Sequence, residues 1–362
     1  MTPKERLIKA INFQETDRPP VYCSIVPQLA EKLSAHFGIP CEPGIDSPMS
    51  GNRISWMDLM IRLGSDCLCV ASCAPDNAPT RILEDGLIIN EWGIGMRNHG
   101  LYDDFELHPL AHAATVEDIE AYPFPDVNAP GRFRKAEETI AKYGKEYGII
   151  GDLECSIFET SWYMVGLEKL FMDMAMEEPY VDVLMDKIAH FHTEVGKRLV
   201  ELGADVIWCG DDLGSQNGPM ISVDMFDRYF APRIRKMFAE FKKINPNVKV
   251  AWHSCGSILP LIPRFIDLGL DILNPIQPLA NGMEPQWLKD TYGDKLAFFG
   301  GICVQDLLPK RSPAEIKAEI KRRTRILSKG GGYLLAPAHN IQADTPLENI
   351  FALFEGVRET QS

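Results

Sequence analysis

The sequence has no apolar run approaching the roughly 18 residues needed to cross a bilayer, so no membrane span and no membrane partner are expected. It is also poor in positive charge. Against 51 acidic residues stand 37 basic ones, a formal net charge of −14, and a polyanion would meet a repulsive average field. Nucleic acid is therefore not an expected partner. The basic cluster "RRTR" at 322–325, within "PAEIKAEIKRRTRILSKGG", reads as the solvated face of a helix. The opening "MTPKERLIKAINFQETDRP" lacks the apolar stretch and small-residue cleavage site of a secretory signal, so a cytoplasmic location is expected. Nine cysteines are an odd number spread over 362 residues, and several sit in apolar runs, which suits reduced thiols better than a disulfide framework. No repeat, low-complexity tract or linker divides the chain, and residues 1–362 read as a single domain.

What the sequence does have is alternation. After about residue 145, short apolar runs at 147–153, 205–211, 248–254, 272–277, 296–302 and 332–338 are each followed by an amphipathic helical stretch, the pattern of strand-crossover-strand units and a parallel sheet. Upstream, "PPVYCSIVP" (19–27) and "DCLCVAS" (66–72) bring the strands to eight, the number that closes a (β/α)8 barrel. Between them and the third strand, "TRILEDGLIINEWGIGM" carries an Asp-Gly pair flanked by alternating apolar residues, which predicts a β-hairpin excursion near residues 80–97.

In such barrels the chemistry comes from the C-terminal ends of different strands. Those ends are rich in metal ligands and acids here: Glu154 and Cys155; Cys209, Asp211 and Asp212; His253 and Cys255; Asn274 and Gln277; Cys303; and His339, Asn340 and Gln342. Residues i and i+2 of an extended segment point the same way, so His253 and Cys255 in "VAWHSCGSI" can reach one ion. A catalytic zinc takes three protein ligands and keeps a position open. The third ligand must come from another strand end, with His339 and Cys303 the leading candidates and Glu154 and Cys209 behind them.

Four stretches, "TPKERLIKAINFQETDRPPV", "GDDLGSQNGPMISVDMFDRYFAPRIRKM", "HSCGSILPLIPRFIDLGLDILNPIQP" and "GGGYLLAPAHNIQADTPLENI", resemble the uroporphyrinogen decarboxylase superfamily over nearly the whole chain. The resemblance implies a distorted TIM barrel. True decarboxylases of this superfamily carry an early arginine-rich loop for the substrate's propionates, whereas the matching "VYCSIVPQLAEKL" has no arginine. The resemblance therefore points to the cobamide-dependent methyltransferase branch, with a decarboxylase of a tetrapyrrole or other carboxylate as the alternative enzyme. A noncatalytic corrinoid-partner or sensor protein on the same scaffold is an alternative of another class, to which an open zinc position would be of no use. That branch uses zinc held by His-x-Cys and a distant Cys. By position, "APAHNIQ" puts His339 where the distant cysteine stands, and Cys303 is the alternative third ligand.

The expected activity is zinc-dependent methyl transfer between a small methylated compound, of O-methyl, methoxyaromatic or methylamine type, and a corrinoid. The chain carries no D-x-H-x-x-G signature, so the corrinoid is expected on a separate protein. Asp211, Asp212 and Glu154 are the expected proton donors. Phe158 and Trp162 are expected to sandwich an aromatic ring, and Asn274, Gln277, Asn340 and Gln342 to orient polar substituents.

Overall fold

Seven short strands, apolar enough to be buried on both faces, form a wholly parallel sheet in the computed structural model, which describes residues 1–47, 49–99 and 103–361, the side chains of Asp103 and Glu154 excepted. The first is β1 (Cys67–Val70). The chain then makes its excursion through β2 (Arg81–Ile82), β3 (Ile88–Ile89), β4 (Gly95–Asn98) and β5 (Asp103–Leu107). It returns as β6 (Gly148–Glu154), β7 (Val206–Gly210), β8 (Lys249–His253), β9 (Ile272–Ile276), β10 (Ala297–Ile302) and β11 (Tyr333–Pro337). The sheet order is β1-β6-β7-β8-β9-β10-β11, each neighbour reached through a helical crossover such as Pro179–Leu202, Ala231–Ile244 or Pro313–Leu327.

The eighth stave is the predicted first strand, but it is not a ladder strand. Residues 20–26 bond to the β11 side through Tyr22 N–H to Leu335 O (3.0 Å), Leu335 N–H to Pro20 O (2.9 Å) and Ile341 N–H to Ser24 O (2.9 Å), with isolated bridges only. Proline explains this: Pro19 and Pro20 have no N–H to give, and Pro27 already starts a helix. On the β1 side the joint is mainly ionic. Asp66, 1% exposed, accepts Arg6 Nη1 (2.6 Å), Arg18 Nη1 (2.6 Å) and the Val21 amide (2.9 Å), and its own N–H bonds Val21 O (2.8 Å).

Alternation along each strand sorts side chains between two cores. Ile150, Trp208, Ala251, Ile272, Phe299 and Leu334 fill the barrel with Tyr22, and Leu7 and Ile11 of the first helix join them. Their strand neighbours, among them Cys209, Trp252 and Phe298, face the helices. Barrel-facing positions therefore include Trp208, His253, Asn274 and Phe299, and these meet at one end.

The excursion is larger than the predicted hairpin. It is a four-stranded antiparallel sheet in the order β2-β3-β4-β5 that runs on to Leu107. The Asp-Gly turn forms as expected, with Asp85 Oδ1 accepting the Leu87 N–H (3.1 Å) and Gly86 at φ 84°. The strand "DDFEL" escaped the sequence pattern because it is acidic. Arg97 on β4 pairs across it with Glu106 (2.8 Å) and back to the Asp85 turn. Among the described residues no helix is long and apolar enough to cross a membrane, and none of the nine cysteines is disulfide-bonded.

Helix Pro179–Leu202 buries His192 against Trp92, ring centroids 5.9 Å apart and nearly parallel. His192 is 9% exposed, and burial lowers its pKa to about 3. The unfolded chain thus takes up a proton below about pH 6.5 that the folded chain refuses until about 3, so this contribution to stability is full above 6.5 and is lost as the pH falls towards 3. The expected loss is about 1.4 kcal/mol per pH unit. Urea midpoints at pH 7 and pH 5 should show the difference shrinking by about 2 kcal/mol in His192→Phe; an unchanged difference would assign the acid sensitivity elsewhere.

Candidate metal centre and the cleft beside it

Where β7 and β8 end side by side, Gly210 makes the approach possible. A Cβ there would lie 2.2 Å from the carbonyl oxygen of His253, so no other residue fits. The chain leaves β7 through Asp211 and Asp212 and leaves β8 through Ser254 and Cys255, and the two turns lock together. Cys255 N–H donates to Asp212 Oδ1 (2.7 Å), Asp211 N–H to His253 O (3.0 Å) and Leu213 N–H to Ser254 Oγ (2.9 Å).

His253 is 3% exposed, and its neighbours determine which ring nitrogen faces the mouth. The indole of Trp208 can only donate, and it gives Nε1–H to Asn274 Oδ1 (3.1 Å), while Asn274 Nδ2 donates to Phe299 O (3.2 Å). The amide is thus oriented at both ends. His253 Nδ1, 2.7 Å from the same Oδ1, must carry a proton, which leaves Nε2 as the neutral ring's lone pair. That atom lies 3.3 Å from Asp212 Oδ1 and 3.4 Å from Cys255 Sγ. The three ligand atoms all fall within 4.8 Å of one another, and they form the one such group of His, Cys, Asp or Glu among the described residues.

The three groups shift one another's ionisation. Burial opposes charge on His253, but its interactions with Cys255 Sγ and the Asp212 carboxylate outweigh it and hold the ring well above its usual value. Burial likewise raises Cys255, with Asp212 adding to it, to about 11. Asp212 moves the other way: the His253 ring brings it down to about 2. A nitrogen, a carboxylate oxygen and a sulfur, with the imidazole's far side fixed by an amide carbonyl, fit zinc in donor type. Replacing Asn274 by Leu removes the acceptor that fixes the tautomer. Zinc affinity, measured by competition with a chromophoric chelator, should then fall about 10- to 100-fold.

The expected site residues divide into those that gather here and those that do not. His253, Cys255 and Asp212 come together. His339 follows β11 and lines both the small chamber beneath His253 and the larger cleft, yet its ring is outside the group of three. Burial, with His253 and Arg53 nearby, lowers its pKa to about 4, so it is neutral. Cys303 lines the cleft and accepts the Asp306 N–H (3.4 Å). Cys209 points into the helix layer, since it alternates with the inward-facing Trp208. The backbone of Glu154 ends β6, but its side chain lies outside the described residues.

Asp211 is wholly buried and accepts the amides of Ile157 (3.1 Å) and Glu159 (3.0 Å), so it anchors the turn before helix Phe158–Val165. Burial raises it to about 7 against those amides. Gln277 Oε1 accepts the Gly256 N–H (2.8 Å) and holds the Cys255 turn, and Asn340 pairs with Ser24 of the eighth stave. Neither expected aromatic lines the cleft. Phe158 is 0% exposed and packs on Phe171 and Phe230, and Trp162 packs on Phe105 and Tyr163, because helix Phe158–Val165 turns that face inward.

Two residues of the site escaped the sequence reading. Glu159 accepts Tyr163 O–H (2.9 Å) and Asp212 N–H (3.1 Å), and burial, then Asp212 and Asp211, raise it to about 8. Its signal was a lone acid in the apolar run "CSIFETSW". Arg53, 8% exposed, pairs with Asp152 (3.1 Å) and lies 4.8 Å over the Trp208 ring, in the chamber beneath His253. Nothing in the short helical turn Gly51–Ile54 that carries it indicated a barrel-facing side chain.

The cleft opens beside Cys255 with a volume of about 390 Å³, in the range of small-molecule sites. Cys255, Gln277, Cys303, His339, Gln342 and Asp344 are part of its wall.

With this geometry in place, comparison with known proteins is informative. The profile of the uroporphyrinogen decarboxylase (URO-D) family matches residues 105–360. The chain belongs to that family. Its relatives place this family member on the corrinoid-dependent methyltransferase branch. The methylcobamide:CoM methyltransferase MtbA of Methanosarcina mazei is 25% identical over 359 residues, covering 98% of this chain and 97% of the relative. MtaA, of the same activity, from Methanosarcina barkeri is 26% identical over 212 residues, 59% of this chain and 58% of the relative. The solved structure of a methyltransferase from Methanosarcina mazei superposes with a TM-score of 0.70 at 21% identity over 100% of both chains, which shows the shared barrel fold.

Proposed function

We propose that this family member moves a methyl group between a small methyl compound and a corrinoid carried by a separate protein, at a zinc centre formed by His253, Cys255 and Asp212. The observation that carries the reading is the convergence of Nε2, Sγ and Oδ1 within 4.8 Å, at the strand ends and beside a cleft of substrate size. Asp212 takes the place expected for His339. Bound there, zinc supplies Lewis acidity, which turns an ether or amine heteroatom into a better leaving group or lowers the pKa of an acceptor thiol.

The chain's own residues do the rest. Asn274 holds the lone pair of His253 towards the mouth, Gln277 holds the Cys255 turn, and Asp211 fixes the loop that brings Glu159 against Asp212. His339 and Gln342 face the reactant from the cleft wall. A cytoplasmic location agrees with nine unpaired thiols. The relatives named for methylcobamide support the corrinoid partner, which would meet the strand-end face of the barrel.

Metal analysis of the purified protein, together with a methyl-transfer assay against cob(I)alamin or methylcobalamin, tests the proposal. Near-stoichiometric zinc and transfer that stops on chelation are expected. A metal-free protein active in decarboxylation would refute it.

A further inference from the structure

Gln342 carries an unmet demand for a hydrogen bond. The side chain is 9% exposed and forms part of the cleft wall, and its Oε1 is buried without a partner among the described residues. A buried carbonyl oxygen left unpaired is costly, and in a cleft wall it is readily satisfied by a donor on a ligand. Gln277, by contrast, is committed to the Gly256 amide. Gln216 and Gln305 add two further amides to the lining, and apolar contacts come from Pro278, Leu279 and Val304.

The charges around the cleft point the same way. Among the described residues that line it there is no Lys or Arg, and Asp344 is the one ionisable carboxyl. His339, kept neutral by burial, offers no cation. A buried guanidinium, Arg53, lies in the adjoining chamber with its charge set against Asp152 and the Trp208 ring. Apart from the proposed zinc itself, a carboxylate or sulfonate would find no guanidinium or ammonium in the cleft wall, in a protein of net charge −14. A quaternary ammonium would find no aromatic wall, since no Phe, Tyr or Trp lines the cleft among the described residues.

We infer that the methyl compound handled here is uncharged and carries a hydroxyl or N–H group, which Gln342 Oε1 binds. This rests on the reading of the site as a methyl-transfer centre and narrows its substrate to small hydroxylated or amide-bearing methyl compounds, the O-methyl kind ahead of the methylammonium kind.

Four near-isosteric probes test it by calorimetric titration of the zinc-loaded protein: 2-methoxyethanol, 1-methoxypropane, methoxyacetate and 2-methoxyethylamine. The first should bind about tenfold more tightly than each of the others, about 1.4 kcal/mol. Gln342→Leu should abolish the advantage over 1-methoxypropane, and Gln342→Glu, which keeps the shape, should shift the preference to the ammonium probe. Tightest binding by methoxyacetate or by the ammonium in the unmodified protein overturns the inference. So does an unchanged preference in both variants, or no measurable binding of any probe. Because the readout is binding, the expected order without methyl transfer from any probe would refute the proposed reaction and leave the ligand class standing.

Discussion

His253→Ala is expected to purify without stoichiometric zinc and to lose methyl transfer by about 10³-fold or more. The magnitude follows from what the metal contributes, several kcal/mol of charge stabilisation at the reacting heteroatom, each 1.36 kcal/mol being a factor of about ten in rate. His253 is the ligand least replaceable by water. Its ring is 3% exposed, and its tautomer is fixed through Asn274 by Trp208 and Phe299. Removing it leaves Asp212 and Cys255, the first 38% exposed at its side chain and the second carrying a thiol raised to about 11, a poor pair for holding the ion. Chelation of the unmodified protein should reproduce the loss, and added zinc should restore the unmodified protein but not the variant. Full activity and full zinc in His253→Ala would remove the ground for placing the centre here.

Asp66→Asn should cost about 3–5 kcal/mol of folding stability while leaving the metal stoichiometry of the folded protein unchanged. Asp66 is buried between two guanidiniums and is the ionic joint between the eighth stave and β1, where no strand ladder exists. Neutralising it leaves Asp17 as the carboxylate partner of Arg6 and leaves Arg18 with no carboxylate at that joint. The check is a urea midpoint shifted at unchanged slope. Asp17→Asn, at a side chain 17% exposed, should cost less. Equal effects of the two would show that the closure does not depend on Asp66.

How much of this was legible in the chain can be argued residue by residue. The parallel barrel was, because a strand buried on both faces must be apolar throughout and an amphipathic crossover must follow it; the runs that became β6 to β11 differ from their expected bounds by at most one residue at either end. The gathering of His253 and Cys255 at one strand end was legible too, since a period of two is local geometry. The strand "DDFEL" was not, because its partner is Arg97 across a sheet rather than an apolar core.

The third member of the group around His253 and Cys255 was decided by tertiary structure alone. Asp212 and His339 both follow strands and both carry a suitable donor. Asp212 reaches His253 because β7 lies next to β8 in register, Gly210 opposite His253, whereas β11 is three places away around the barrel. The same reason separates Phe158 and Trp162 from the cleft: residue type proposed an aromatic wall, and the direction of a helix turned it into core. Composition and period thus determined the buried parallel strands with their crossover helices, and which strand ends carry suitable donors. Which of those residues meet depended on strand order, register and side-chain direction, which are properties of the assembled sheet and of no single segment.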